Sequence, residues 1–120
     1  FFRKTGWLKK AFAAMDAAVE ESPEDPHVRA VRAVNSYRIP KFLGRREVAE
    51  TDFSKLLDWA ESEPDRFTDG LMKFVYYHAG RYYSDRDEET AGRLLEKALE
   101  LPDKSVSDEE IRSELRQIRD

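Results

Sequence analysis

LLEKALELPD, residues 94–103, is the most informative segment about the fold, because its spacing of small and bulky apolar residues occurs three times in the chain. Each occurrence has three apolar residues at steps of four and three, with a proline four or five residues later. The three sets are Ala91, Leu95 and Ala98 before Pro102; Phe53, Leu57 and Ala60 before Pro64; and Ala11, Met15 and Ala18 before Pro23. Such steps place side chains on one stripe of a helix, which a proline then ends. The sequence therefore predicts one type of helix used three times.

The composition indicates a single soluble domain of 120 residues, in which 38% of residues are charged and 40% are hydrophobic. The formal charge of −4 argues against general binding to nucleic acid or anionic lipid, because both need clustered positive charge. No cysteine is present, which excludes disulfides and thiolate metal sites. No apolar run is long enough to span a bilayer, and no secretory leader is recognisable. We expect a cytoplasmic setting, although an exported one is compatible with this composition.

Helical periodicity and capping residues predict six helices and no strand. The expected helices cover about residues 5–22, 27–39, 46–62, 65–83, 88–101 and 107–118. Thr5, Asp25, Asp87 and Ser107 are expected to be N-caps, the last within a capping box that ends at Glu110. The apolar face of the first helix is expected to run from Trp7 to Val19. The chain starts at Phe1 rather than Met, so we expect a fragment or a processed protein.

One segment resembles a known repeat. The order Tyr76-x-x-Ala79-Gly80-x-x-Tyr83, then Ala91, Leu95, Ala98 and Pro102, resembles the tetratricopeptide repeat, and the spacing of the trios, 42 and 38 residues, is typical of helical-hairpin solenoids. The resemblance implies an all-α, right-handed solenoid of stacked antiparallel helical hairpins with about six helices. Residues 1–23 would be the second helix of a truncated repeat, 24–64 and 65–102 two repeats, and 103–120 a capping helix. Gly80 would let two helices approach closely.

The same resemblance implies a binding groove lined by the second and fourth helices, and thus a non-catalytic scaffold for a partner protein or peptide. The candidate partner-binding residues are Arg29, Arg32, Asn35 and Arg38 on the second helix and Asp69, Lys73, Tyr76 and Tyr77 on the fourth. The basic residues, with Lys41, Arg45 and Arg46, suit an acidic peptide or a terminal carboxylate. The alternative for the basic residues is a solvated face with one polar bond between helices. For the tyrosines the alternative is core packing.

No catalytic motif, cofactor-binding loop or metal-ligand spacing occurs in the sequence, so we expect no enzyme activity, no cofactor and no metal. His78 lies within an apolar stripe and is expected to be a core residue, whereas His27 is expected to be exposed. The acids between Asp85 and Glu89 lack the ligand spacing of a calcium loop and are explained by helix capping.

The sequence is also compatible with two further functions. The chain could be the helical repeat portion of a larger regulator or enzyme, docking on domains outside the sequence. It could also bind RNA or another polyanion weakly through a basic cluster. That cluster comprises Arg29, Arg32, Arg38, Lys41, Arg45 and Arg46. The acidity of the rest of the chain favours the scaffold.

Overall fold

The structure, a computed structural model, describes residues 2–119, with side chains from residue 6 onward. This part of the chain contains six α-helices. They are α1 (Phe2–Glu21), α2 (Pro26–Arg38), α3 (Arg46–Ser62), α4 (Asp69–Tyr83), α5 (Glu88–Glu100) and α6 (Asp108–Arg119). Short 3-10 helices, Lys41–Leu43 and Pro64–Arg66, precede α3 and α4. Within residues 2–119 there is no strand. The prediction of an all-α chain with six helices is confirmed.

Three of the predicted caps hold their helices as expected. The carboxylate of Asp25 accepts a hydrogen bond from the His27 backbone N–H at 2.8 Å, and that of Asp87 accepts one from the Thr90 N–H at 3.1 Å. The Ser107 hydroxyl accepts one from the Glu110 N–H at 3.1 Å. Each bond satisfies an N–H that has no partner within its own helix.

Two predicted helix starts are wrong. α1 already begins at Phe2, because none of the residues between it and Thr5 is a proline or glycine that would break a helix. α4 begins at Asp69 rather than near Asp65, because Thr68 has an extended backbone and its hydroxyl accepts a hydrogen bond from the Leu71 N–H at 3.1 Å. A capping side chain four residues beyond Pro64 therefore sets this start.

The described chain divides between Leu56 and Leu57, inside α3, into two units. In the first unit α1 packs against α2. Tyr37 of α2 contacts Phe53 of α3, with ring centroids 5.7 Å apart. The 3-10 turn before α3 ends at Gly44, whose φ of 75° lies in the left-handed region that favours glycine. The buried apolar residues of this unit are Phe12, Val19, Ala30, Ala33, Val34, Ala49, Phe53 and Leu56.

In the second unit, α4 and α5 are joined by the short turn 84–87 and pack closely, and α6 packs on α5. A Cβ atom placed on Gly80 would lie 2.7 Å from Cγ of Leu95, so the predicted close approach of two helices at this glycine is confirmed. The core cluster of this unit consists of Tyr77, Leu95, Ala98, Val106, Ile111 and Leu115. The repeat boundaries at residues 23, 64 and 102 stay predictions, as does the solenoid.

Candidate functional site

The first two predicted site residues of α2 face an acid on α3. The Arg32 guanidinium donates two hydrogen bonds of 2.7 Å to the Asp52 carboxylate, from Nε to Oδ2 and from Nη2 to Oδ1. Arg29 Nη1 donates a third, of 3.1 Å, to Oδ1. The Asp52 side chain is fully buried. Both arginines therefore use part of their hydrogen-bonding capacity inside the unit.

Asp16 of α1 extends this network. Arg32 Nη1 lies 3.2 Å from Asp16 Oδ1, and Arg45 Nη2 lies 2.8 Å from the same oxygen. The hydrogen bond from Arg45 is the main reason that the pKa of Asp16 is below its usual value, and the hydrogen bond to Asp52 is the main reason that the pKa of Arg32 is above its own. Three arginines and two aspartates thus alternate in a network that joins α1, α2 and α3 with Arg45, the residue just before α3.

Sequence reasoning missed both aspartates of this network. Asp52 lies three residues after Ala49 and four before Leu56, inside the stripe of α3 that is buried. An acidic residue on an apolar stripe indicates a buried ion pair, because a buried carboxylate needs cationic partners. Two arginines at i and i+3 on the neighbouring helix could have been recognised as those partners.

The other predicted residues of α2 lie on the exposed surface. Asn35 is exposed, and its amide donates a hydrogen bond of 2.8 Å to the Val31 carbonyl one turn earlier. Arg38 is exposed in the last turn of α2. Of the four predicted α2 residues, Arg29 and Arg32 are thus paired with Asp52. Asn35 and Arg38 are exposed.

Lys73 of α4 is buried, with 1% of the residue exposed. Its ammonium group donates to the Leu101 carbonyl at 3.0 Å, the Asp103 carbonyl at 2.7 Å and the Asp108 carboxylate at 2.8 Å. Three oxygens match the three protons of an ammonium group. Lys73 therefore fastens α4 to the 101–107 connection and to the start of α6.

The remaining predicted residues of α4 differ in exposure. Asp69 is exposed in the first turn of α4. Tyr77 is buried in the core cluster, and Tyr76 is half-buried with the Lys97 ammonium 5.6 Å from its ring centroid. Burial is the main reason that the pKa of each tyrosine is above its usual value. Tyr77 therefore packs in the core, which was the alternative to peptide contact for the tyrosines.

A cavity of about 270 Å³ lies between α1 and the segment that precedes α3. We call it the α1 cleft; it is lined by Leu8, Lys9, Phe12, Ala13, Asp16, Leu43 and Arg45. The Arg45 guanidinium carbon lies 4.4 Å from the centre of the Phe12 ring. Four of the seven lining residues are apolar, and the ion pair of Asp16 with Arg45 forms one side.

Two large aromatic residues next to this lining in the chain are strongly exposed. Trp7 precedes Leu8 and is 69% exposed, and Phe42 precedes Leu43 and is 73% exposed. Helical periodicity places Trp7 on the apolar face of α1, but its side chain is exposed, because periodicity identifies a stripe without showing whether another element covers it. Sequence reasoning placed no binding surface on α1 and so missed the cleft.

His78 is buried, as predicted, with its ring centroid 4.4 Å from that of Phe74 and 5.0 Å from that of Tyr77. His27 is exposed, also as predicted. Among the residues that the structure describes, no group of three or more His, Cys, Asp or Glu could hold a metal ion. None of the helices in this part of the chain has the length and apolar character needed to cross a membrane.

Comparisons of this chain with models of known families, with curated proteins and with solved structures found no match. The functional conclusion therefore depends on the geometry of the described residues. Within residues 6–119, the α1 cleft is a mainly apolar cavity with charged groups in its lining, and the exposed Phe42 directly precedes its lining residue Leu43.

Proposed function

We propose that this chain is a non-catalytic interaction module that binds a segment of a partner protein in the α1 cleft. The observation that carries the proposal is the mainly apolar cavity of about 270 Å³, with the exposed Phe42 directly before its lining residue Leu43 in the chain. This volume lies just below the range of about 300–1,000 Å³ typical of small-molecule pockets, and it suits one or two bulky side chains of a peptide. Exposed aromatic rings contribute large apolar contact areas when a partner covers them.

The charged groups of the cleft favour binding over catalysis. Asp16 is held between Arg45 and Arg32, and its pKa is below the usual value. A carboxylate held ionised in this way is a weak proton acceptor and a poor proton donor near neutral pH. The Asp16–Arg45 pair is better suited to fixing the shape of the cleft wall than to moving a proton.

The contacts of the α2 arginines lead us to place the partner on the α1 cleft rather than on a groove centred on α2. Arg29 and Arg32 already bind Asp52, and Lys73 binds three oxygens of its own unit. These bonds also reduce the basic charge available for RNA. Asn35, Arg38 and Asp69 are exposed and could add contacts with a larger partner.

A tetratricopeptide-like stacking of hairpins is part of this proposal. Its support is the pairing of α4 with α5 and their close approach at Gly80 and Leu95, at positions that match the repeat pattern. In such repeats each hairpin buries one face on its neighbour and leaves another for partners.

Selection from a random peptide library displayed on phage, with the whole chain as bait, tests the proposal. Ala13 lines the cleft and is exposed, so Ala13→Trp should fill the cavity without disturbing the core. Ala14 is exposed on the same helix outside the cleft, so Ala14→Trp is the matched control.

We expect enriched peptides to shift backbone amide resonances of residues 8–16 and 43–45. Their affinity should fall about tenfold or more in Ala13→Trp, which corresponds to about 1.4 kcal/mol, and stay within about twofold in Ala14→Trp. Failure to enrich any peptide, or equal binding to both variants, would contradict the proposal.

A further inference from the structure

Basic charge is concentrated in two short segments of this acidic chain. Residues 1–15 and 38–46 contain eight of the 21 lysines and arginines and none of the 25 aspartates and glutamates. The other 96 residues contain the remaining 13 basic residues and all 25 acidic ones. Trp7 and Phe42 belong to these same two segments. Concentrated positive charge and exposed aromatic residues therefore occur in the same two segments of the sequence.

The two basic segments meet at the α1 cleft. Leu8, Lys9 and Phe12 line it from the first segment, and Leu43 and Arg45 line it from the second. The guanidinium of Arg45 lies over the ring of Phe12, which joins the segments directly.

The basic rim is the name we give to three exposed lysines of these two segments, Lys9, Lys10 and Lys41. Lys9 lines the cavity itself, while Lys10 and Lys41 lie close to lining residues in the chain. Within residues 6–119, none of the three forms an ion pair with an acid of this chain. Their charge is therefore available to a partner.

We propose that the segment bound in the α1 cleft is an acidic peptide with one bulky apolar anchor, such as Leu or Phe, and with Asp or Glu within a few residues of it. This inference rests on the proposed function and names the class of partner. The anchor enters the cavity between Leu8, Phe12 and Leu43, and the carboxylates contact the basic rim. Complementary charge around an apolar centre directs encounter and orientation, while the apolar contact supplies most of the affinity.

The cleft favours a peptide over a phosphate polymer or a lipid surface. Asp16 contributes an ionised carboxylate to the cavity lining, which repels phosphate groups from the interior. A single cavity accepts a protruding side chain, whereas a bilayer surface is bound best by a continuous apolar stripe along a helix.

Four fluorescein-labelled 12-residue peptides test the inference by fluorescence anisotropy with the whole chain. The first has one Leu flanked by Glu, the second replaces Glu with Gln, the third replaces Glu with Lys, and the fourth replaces Leu with Ala. Lys9→Glu reverses a charge in the cleft. Lys104→Glu, at an exposed lysine of the 101–107 connection, makes the same change in net charge and is the control.

We expect the acidic peptide to bind about tenfold more tightly than the neutral one at 50 mM NaCl, and this advantage to shrink at 300 mM. The Lys and Ala peptides should bind more weakly than both. Lys9→Glu should remove most of the advantage of the acidic peptide, Lys104→Glu should preserve it, and Ala13→Trp should weaken both the acidic and the neutral peptide.

Equal binding of the neutral and acidic peptides, weakened by Ala13→Trp, would overturn this inference and leave the proposed function standing. Absence of any binding sensitive to Ala13→Trp would overturn both. Tighter binding of heparin or of phosphatidylserine vesicles, displacing the acidic peptide, would show that phosphate or sulfate groups are the ligand. Dimerisation abolished by Ala13→Trp would show that a second copy of this chain is the occupant.

Discussion

The guanidinium of Arg32 and the carboxylate of Asp52 form a two-point ion pair, in which Nε–Oδ2 and Nη2–Oδ1 both measure 2.7 Å. Asp52 is fully buried, and Arg29 donates a third hydrogen bond to it. Removing a carboxylate from water is unfavourable unless charged donors surround it, and here two arginines do so. Asp52 therefore links α2 to the first part of α3, in addition to the contact of Tyr37 with Phe53.

Asp52→Ala should lower the free energy of unfolding by about 3 kcal/mol, because it leaves two partly buried guanidinium groups without their main acceptor. Urea unfolding followed by circular dichroism at pH 7 measures this. Asp58→Ala, at an exposed aspartate of the same helix, should change stability by no more than about 0.5 kcal/mol. Equal effects of the two substitutions would contradict the role of Asp52.

Lys73→Met should lower the free energy of unfolding by about 2–4 kcal/mol. Methionine cannot donate the three hydrogen bonds that the Lys73 ammonium group makes to oxygens of the 101–107 connection and of Asp108. Hydrogen exchange of the backbone amides in 101–108 should also become faster. Lys104→Met, in the same connection, is the control and should change neither quantity measurably. Unaltered exchange in Lys73→Met would show that this lysine does not hold the connection.

Gly80→Ala and Gly92→Ala should have opposite effects on stability. A Cβ atom on Gly80 would lie 2.7 Å from Cγ and 2.8 Å from Cδ2 of fully buried Leu95, so we expect a loss of about 1–3 kcal/mol. A Cβ atom on Gly92 meets nothing within 4 Å, so the higher helix propensity of alanine should stabilise the chain by about 0.5–1 kcal/mol. Thermal unfolding of the two variants beside the parent chain measures both effects. A stabilising Gly80→Ala would contradict the close helix approach.

Acid should weaken the fold below about pH 5. The pKa of Asp16 is lowered chiefly by the hydrogen bond from Arg45, and that of Asp108 chiefly by the hydrogen bond from Lys73, both from an ordinary value of 3.8. A carboxylate with a depressed folded-state pKa contributes stability above its unfolded pKa, and this is lost as the pH falls through the folded pKa. Urea midpoints should therefore drop between pH 5 and pH 3, and drop less in Asp16→Asn. An equal drop in that variant would exclude Asp16 as a source.

The helices of this chain were predictable because their signals are local. Asp25 and Asp87 each cap the helix that follows, through a hydrogen bond to a backbone N–H two or three residues later. The start of α4 was missed because Thr68 competed with the stronger signal of Pro64, and only the extended backbone at Thr68 decides between them. The glycine at residue 80 was identified correctly, since a repeat pattern predicted the close approach that the structure contains.

The sequence by itself determined the number of helices, most of their ends and the place of one close helix contact, because periodicity, caps and prolines act over a few residues. Tertiary structure alone decided which charges are neutralised and which surface stays uncovered. Arg32 and Asp52 are 20 residues apart, and Arg45 and Asp16 are 29 apart. Whether a side chain is buried or exposed depends on such distant partners, so the α1 cleft and the exposure of Trp7 follow only from the way the helices pack.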